Sequence, residues 1–258
     1  MGFLTGTILF ALSLFLTMVG GAELGYRKGQ RDLDQEQDRK IEGLGTIDSA
    51  IFGLLGLLLA FTFTNALSGL SIRRVSVVNE ANAIGTAYLR LDLLAPASQA
   101  QLRPLYREYL EERIKLYASS ENPSLAQEIF TKTAALQTQI WRLTADSVLE
   151  EKHPAIMTLA LSAANEMIDS ASTRNQATIN HPPQIVYLFL FIFAVASALL
   201  IGYNLANNPK RPYFHVVLFC FLISAVVYVI VDLEYPRRGL FQIQMGDKVL
   251  KDTLEGMR

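Results

Sequence analysis

The sequence predicts an all-α, polytopic membrane protein with four transmembrane helices and a helical bundle between the second and the third of them. Three observations support this fold class. Charged residues are scarce, they are absent from four long windows, and a long charged segment between two windows has a helical composition. Of the 258 residues, 51% are hydrophobic and 18% are charged, whereas soluble domains have about 25% charged residues. The chain is therefore too apolar to be disordered.

The positions of the charges locate the predicted spans. No Asp, Glu, Lys or Arg occurs in the windows 3–22, 49–72, 175–209 and 212–231. A helix needs about 20 apolar residues to cross the hydrocarbon core of a bilayer. The first predicted part is a membrane part at 1–70, with helices at about 3–22 and 49–70 joined by a polar connector at 23–48. A soluble helical domain follows at 71–182. A second membrane part at 183–231 contains helices at about 183–203 and 212–231, and a C-terminal tail occupies 232–258.

The residue types that carry charge and chemistry exclude several function classes. The 23 Lys and Arg nearly balance the 24 Asp and Glu, so bulk electrostatics exclude nucleic acid as a partner. The single cysteine, Cys220, excludes a disulfide framework and a cysteine-clustered zinc site. The sequence contains no acid–base cluster, metal-ligand spacing or phosphate-binding glycine loop. We expect no enzyme, no catalytic residues, no cofactor and no metal.

The second span is predicted to continue beyond the membrane as one helix. No proline occurs from Ile47 to Leu94. Because proline removes a backbone donor and clashes with the preceding turn, its absence leaves the helix unbroken until the vicinity of Pro96. A helix of about 45 residues is about 70 Å long.

Three further helices are predicted in the soluble segment, each with an apolar stripe. Ser98 and Gln101 match the capping-box pattern and predict the start of the first helix. Asn122 followed by Pro123 predicts the start of the second, and Pro154 the start of the third. Together with the extension of the second span, these helices are sufficient to bury a compact bundle.

One face of the second span combines bulky apolar, small and polar residues. Leu57, Phe61 and Asn65 lie four residues apart, and Gly53 falls on the same line. Glycine and asparagine commonly mediate contacts between membrane helices, so helix packing is one interpretation. The other is a pore face, with an apolar constriction at Leu57 and Phe61 that gates by dewetting, followed by a wetter position at Asn65.

A dense polar motif follows the second span. Glu80, Asn82, Arg90 and Asp92 are polar residues set among apolar ones in the soluble segment. Polar and charged groups in such surroundings usually hydrogen-bond with each other, because a buried polar group without a partner is costly. We predict that these four residues form a structural network that holds the bundle.

Carboxylates stand at the ends of two spans. Asp48 precedes the second span, and Asp232 and Glu234 follow the fourth. One interpretation is that they are boundary charges that reach water. The other is a charged ring at the mouth of a pore, which requires a symmetric oligomer.

At the polar motif the chain resembles a known family. The stretch LLGLLLAFTFTNALSGLSIRRVSVVNEANAIGTAYLRLDLL, residues 54–94, resembles the bacterial bestrophin-like membrane proteins, a family of unknown function. The segment DLEYPRRGLFQIQ, residues 232–244, is similar to the acidic–Pro–Gly segment that follows the last span in that family. More distantly, both segments resemble the bestrophin anion channels.

The resemblance implies a homo-oligomer, by analogy a pentamer, in the bacterial inner (cytoplasmic) membrane. It implies passive conduction of small ions, with the second span lining the pore and Phe61 at the neck. It also implies that both termini and residues 71–182 lie in the cytoplasm, an orientation that the nearly equal numbers of Lys and Arg on the two sides leave undecided. Pro236 and Gly239 join Asp232 and Glu234 as pore-mouth or tail candidates.

A function of a different class remains open at the level of sequence. The chain is then a non-conducting membrane scaffold or sensor, whose helical domain at 71–182 binds a protein partner. This alternative predicts that residues on the exposed faces of that domain matter more than Leu57 or Phe61.

Overall fold

The computed structural model describes residues 3–35, 44–119, 122–149, 153–208, 211–235 and 244–257. Within these ranges the chain is almost entirely helical and contains no strand. Four helical stretches, containing α1, α2, α6 and α7, are long and apolar enough to cross a membrane, so the predicted all-α class is confirmed. The helices are α1 (Phe3–Gln35), α2 (Leu44–Arg90), α3 (Pro96–Ala118), α4 (Pro123–Leu149), α5 (Pro154–Ile179), α6 (Gln184–Asn204), α7 (Tyr213–Glu234) and α8 (Gln244–Gly256).

The chain forms two compact units. Unit 1 comprises residues 1–68 and 181–241, and unit 2 comprises 69–180 and 242–258. The segment expected as a single tail at 232–258 is therefore divided between the units. Its last helix, α8, belongs to unit 2 because Leu250 is fully buried there.

The first helix is longer than the sequence prediction. α1 continues past Ala22 to Gln35, so part of the expected polar connector at 23–48 is helical. No proline interrupts this stretch, and its glycines face other elements of unit 1, which favours a continuous helix. α2 begins at Leu44, also inside the expected connector.

The helices α1 and α6 of unit 1 pack through glycines. A Cβ atom added at Gly25 would overlap with the carbonyl oxygen of Leu199, and one at Gly202 would overlap with that of Ala22. A Cβ atom at Gly29 would lie 2.6 Å from the Cβ atom of Ala206. Small residues let helix backbones approach closely, and dispersion contacts then hold the helices together in a lipid environment.

We expect Gly25→Leu to destabilise unit 1 strongly. Overpacking in a well-packed interior costs about 1–3 kcal/mol, and here the added atoms meet backbone, which has little freedom to move. Gly20→Leu is the matched control on the same helix, since a Cβ atom at Gly20 has nothing within 4 Å. Thermal unfolding in detergent should show a lower midpoint for Gly25→Leu alone. Equal midpoints for the two variants would disprove the glycine contact.

Unit 2 encloses a continuous apolar core. Residues of α2, α3, α4, α5 and α8 meet in it and exclude water from the bundle interior. Its largest fully buried members are Ile84, Leu102, Tyr106, Tyr109, Leu110, Ile140 and Met167.

The helix starts in unit 2 partly follow the predictions. At α4 the Oδ1 atom of Asn122 accepts a hydrogen bond from the backbone N–H of Leu125 at 3.3 Å, as expected of an N-cap. The capping box expected at Ser98 is wrong, because α3 already begins at Pro96 and its N-cap residue, Ala95, has no capping side chain. Proline fixes the helical φ angle at the first position, so the helix starts there without a cap.

Candidate functional site

The candidate pore residues lie on the exposed side of α2 in unit 1. Phe61 is 65% exposed and Leu57 is 50% exposed. Asn65 is also exposed, and a Cβ atom added at Gly53 would meet nothing within 4 Å. The structure therefore brings all four residues to one open face of the helix.

The rotation of α2 is set by residues on its opposite side. Leu55 and Ala66 are buried in unit 1, and Leu59 is nearly so. Phe52 makes an edge-to-face contact with Phe219 of α7, with ring centroids 6.4 Å apart. Because the buried residues recur at helical spacing, the face with Phe61 is turned away from the unit.

In unit 2, α2 presents an exposed stripe that the sequence reasoning missed; it continues the line of Phe61, because Asn79 follows Phe61 by 18 residues, or five helical turns. Its members are spaced alternately by three and four residues, so they form one stripe along the helix. The signal in the sequence was this heptad spacing, which the surrounding alanines and valines obscured. The exposed stripe consists of Ile72, Val75, Asn79, Asn82, Thr86 and Leu89.

A buried ion cluster joins α2, α3 and α5 inside unit 2. The Glu80 carboxylate is 0% exposed. It accepts a hydrogen bond from Nε of Arg113 at 2.5 Å and another from Nη1 of Arg174 at 2.5 Å. Both arginines are themselves buried. The cluster therefore places these three charges away from solvent, where each depends on its partners.

The four residues predicted to form one network do not do so. Glu80 is buried, whereas Asn82 is exposed on the other side of α2, because two residues correspond to about 200° of helical rotation. Arg90 donates hydrogen bonds to a backbone carbonyl and a serine of α5. Asp92 pairs with Arg103 of α3. The two arginines that pair with Glu80 come from distant parts of the chain, so spacing along the sequence gave no sign of them.

Tyr109, which lies beside this cluster, makes the stability of unit 2 depend on pH in the alkaline range. Burial raises the pKa of the Tyr109 hydroxyl to about 12, although the Arg113 charge opposes the shift. In the unfolded chain the pKa is about 10, so between about pH 10 and 12 the unfolded state releases this proton first. We therefore expect the free energy of unfolding to fall as the pH rises through that window. The substitution Tyr109→Phe should make this fall smaller. Denaturant unfolding of the wild type and of Tyr109→Phe at pH 8 and pH 11 measures this difference. The same pH dependence in both proteins would show that Tyr109 is not its source.

The carboxylate before the second span is not free in water. Asp48 is buried and accepts a hydrogen bond from Nδ2 of Asn204 at 2.6 Å, within unit 1. This contact ties the start of α2 to the end of α6. The interpretation of Asp48 as a boundary charge that reaches water is therefore wrong.

The carboxylates after the fourth span are also buried. Asp232 is fully buried and Glu234 almost so, which again contradicts the boundary-charge interpretation. Nδ1 of His181 lies 3.5 Å from Oε2 of Glu234, at the entrance to α6. Pro236 and Gly239 lie outside the described residues. Among the residues that are described, no group of three His, Cys, Asp or Glu is arranged to hold a metal.

Comparison with known proteins identifies the chain's relatives. A family model for the bestrophin-like domain matches residues 28–246. A crystal structure of a bacterial bestrophin homologue from Klebsiella pneumoniae, a variant with a tyrosine-to-alanine substitution, superimposes with a TM-score of 0.68. The match covers 96% of this chain and 98% of that one at 13% identity, and it supports a common fold. No curated protein matches the sequence.

Proposed function

The chain belongs to the bestrophin-like family, and from that premise we propose that it is a homo-oligomeric channel for passive conduction of small ions. By resemblance to the bestrophins, the oligomer is a pentamer in the bacterial cytoplasmic membrane. The helix α2 lines the axis, and unit 2 and both termini lie in the cytoplasm. Asp232 and Glu234 belong to the surroundings of the pore mouth.

The observation that carries the proposal is the composition of the exposed face of α2 in unit 1. The amide of Asn65 is costly against lipid, because hydrocarbon offers no hydrogen-bond partner. A water-filled axis removes that cost. On the same face, Phe61 and Leu57 present large apolar side chains to the axis, and a ring of such side chains can close a narrow pore by expelling water.

The same observation requires several copies of the chain. One α2 helix cannot enclose an axis, so a pore lined by α2 needs a closed ring of identical subunits. In such a ring every copy contributes one Phe61, one Leu57 and one Asn65 at equal depth. The constriction is then a property of the assembly and not of the single chain.

The family match and the structural match, both to bestrophins, do not favour the scaffold alternative. It places the decisive residues on the exposed faces of unit 2, where a partner would bind. On α5 the exposed residues include Asn165, Glu166 and Asp169, which are ordinary residues of a solvated helix face.

Ion flux from liposomes tests the proposal. The purified oligomer is reconstituted into vesicles loaded with potassium chloride, and the release of potassium and chloride is followed with ion-selective electrodes. We expect release that increases with the amount of protein and exceeds that of protein-free vesicles. Absence of release from an intact, monodisperse oligomer would contradict the proposal.

A further inference from the structure

The exposed face of α2 in unit 2 differs from the other exposed faces of that unit. Between Val75 and Leu89 the only charged residue of α2 is Glu80, and it is buried. Over this stretch the helix therefore exposes no charge at all. By contrast, α3 exposes Arg107 and Glu111. A solvated helix normally carries charges on its outer face, so this stripe has the composition of a surface with another role.

The stripe has an ordered chemical pattern. Ile72 and Val75 stand at one end and Leu89 at the other, and all three are exposed apolar residues. Between them lie the exposed side-chain amides of Asn79 and Asn82. Neither amide makes a side-chain hydrogen bond among the described residues, so their donors and acceptors are available to other molecules.

We propose that Asn79 and Asn82 form a neutral polar belt on the ion path, which passes ions of both signs and sets the small preference between them. This inference rests on the proposed function, because only a ring of chains converts the stripe into a belt. An amide N–H group can donate a hydrogen bond to an anion, and an amide oxygen can coordinate a cation. The belt can therefore interact with ions of either sign. Because α2 exposes no charge between Val75 and Leu89, the orientation of the amides sets that preference.

The proposal makes the belt the place where one added charge has a large effect. A unit charge at about 4 Å in water changes the local concentration of a monovalent ion about five-fold. Asn82→Asp should therefore favour potassium about five-fold and disfavour chloride about five-fold, which raises the permeability of potassium relative to chloride about 25-fold. Asn82→Lys should lower it by a similar factor.

Reversal potentials across a planar bilayer with a potassium chloride gradient measure this ratio. The matched controls are Asn165→Asp and Asn165→Lys, at an exposed asparagine of α5 in the same unit. Opposite shifts for the two Asn82 variants, with unchanged ratios for the two Asn165 variants, support the proposal. All four variants are first checked for the elution volume of the wild-type oligomer, and Asn79→Asp replaces Asn82→Asp if the latter fails to assemble.

The failures of the two proposals are distinguishable. If the wild type conducts and responds to changes at Phe61, but the Asn82 variants keep the wild-type permeability ratio, the belt is overturned and the channel stands. The same holds if the Asn165 variants shift the ratio as much as the Asn82 variants. If the wild-type oligomer does not conduct, both proposals are overturned together.

Discussion

Phe61→Ala should increase ion flux through the reconstituted protein about tenfold, which corresponds to a barrier lower by about 1.4 kcal/mol. Phe61 is 65% exposed on the proposed axial face. The substitution removes one aromatic ring from every subunit at one depth of the pore. A wider and less apolar constriction holds water more readily, and ions cross it at lower free energy.

The control for this substitution is another exposed phenylalanine of unit 1. Phe214 at the start of α7 is 73% exposed, and Phe214→Ala removes the same atoms away from α2. We expect wild-type flux from this control in the same vesicles. Equal flux from the wild type and Phe61→Ala, both assembled, would remove Phe61 from the conduction path.

The second large effect is expected from Glu80→Gln, which removes the carboxylate that two buried arginines contact. Breaking a buried ion pair by removing one partner costs about 3–5 kcal/mol. Glu80 contacts both Arg113 and Arg174, so the cost should lie in the upper part of this range. The midpoint of denaturant unfolding, followed by the loss of helical circular dichroism, should fall accordingly.

Two further variants separate the ion cluster from a general loss of charge. Glu111→Gln changes an exposed carboxylate of α3 and should leave the midpoint within about 0.5 kcal/mol of the wild type. The triple variant Glu80→Leu, Arg113→Met, Arg174→Met replaces the whole cluster with apolar residues, and such replacements are often neutral or stabilising. Recovery of stability in the triple variant is expected. A stable Glu80→Gln variant would show that the cluster contributes little.

Composition was a reliable guide to the class of fold. Four windows without charge predicted the membrane-capable helices, because lipid excludes charged side chains whatever the tertiary contacts are. The absence of proline from Ile47 to Leu94 likewise predicted the unbroken α2, which is a local property of the chain. Both predictions depend only on the residue types present, because charges in lipid and proline within a helix are unfavourable in any tertiary arrangement.

The candidate site was predictable only in part. Helical spacing brought Leu57, Phe61 and Asn65 to one face, since that geometry is fixed by the helix itself. The partners of Glu80 depend on how α3 and α5 pack against α2, and one sequence contains no record of that packing. For the same reason the boundary carboxylates were expected in water, although Asp48 has a partner on α6.

The most direct test of the central claim is the symmetry of the detergent-purified particle, obtained from two-dimensional class averages. The account requires a closed ring of identical chains with α2 around the axis. It predicts averages with five-fold symmetry and a central density minimum. Averages of a monomer or a two-fold dimer would contradict it, because neither can enclose a pore lined by α2.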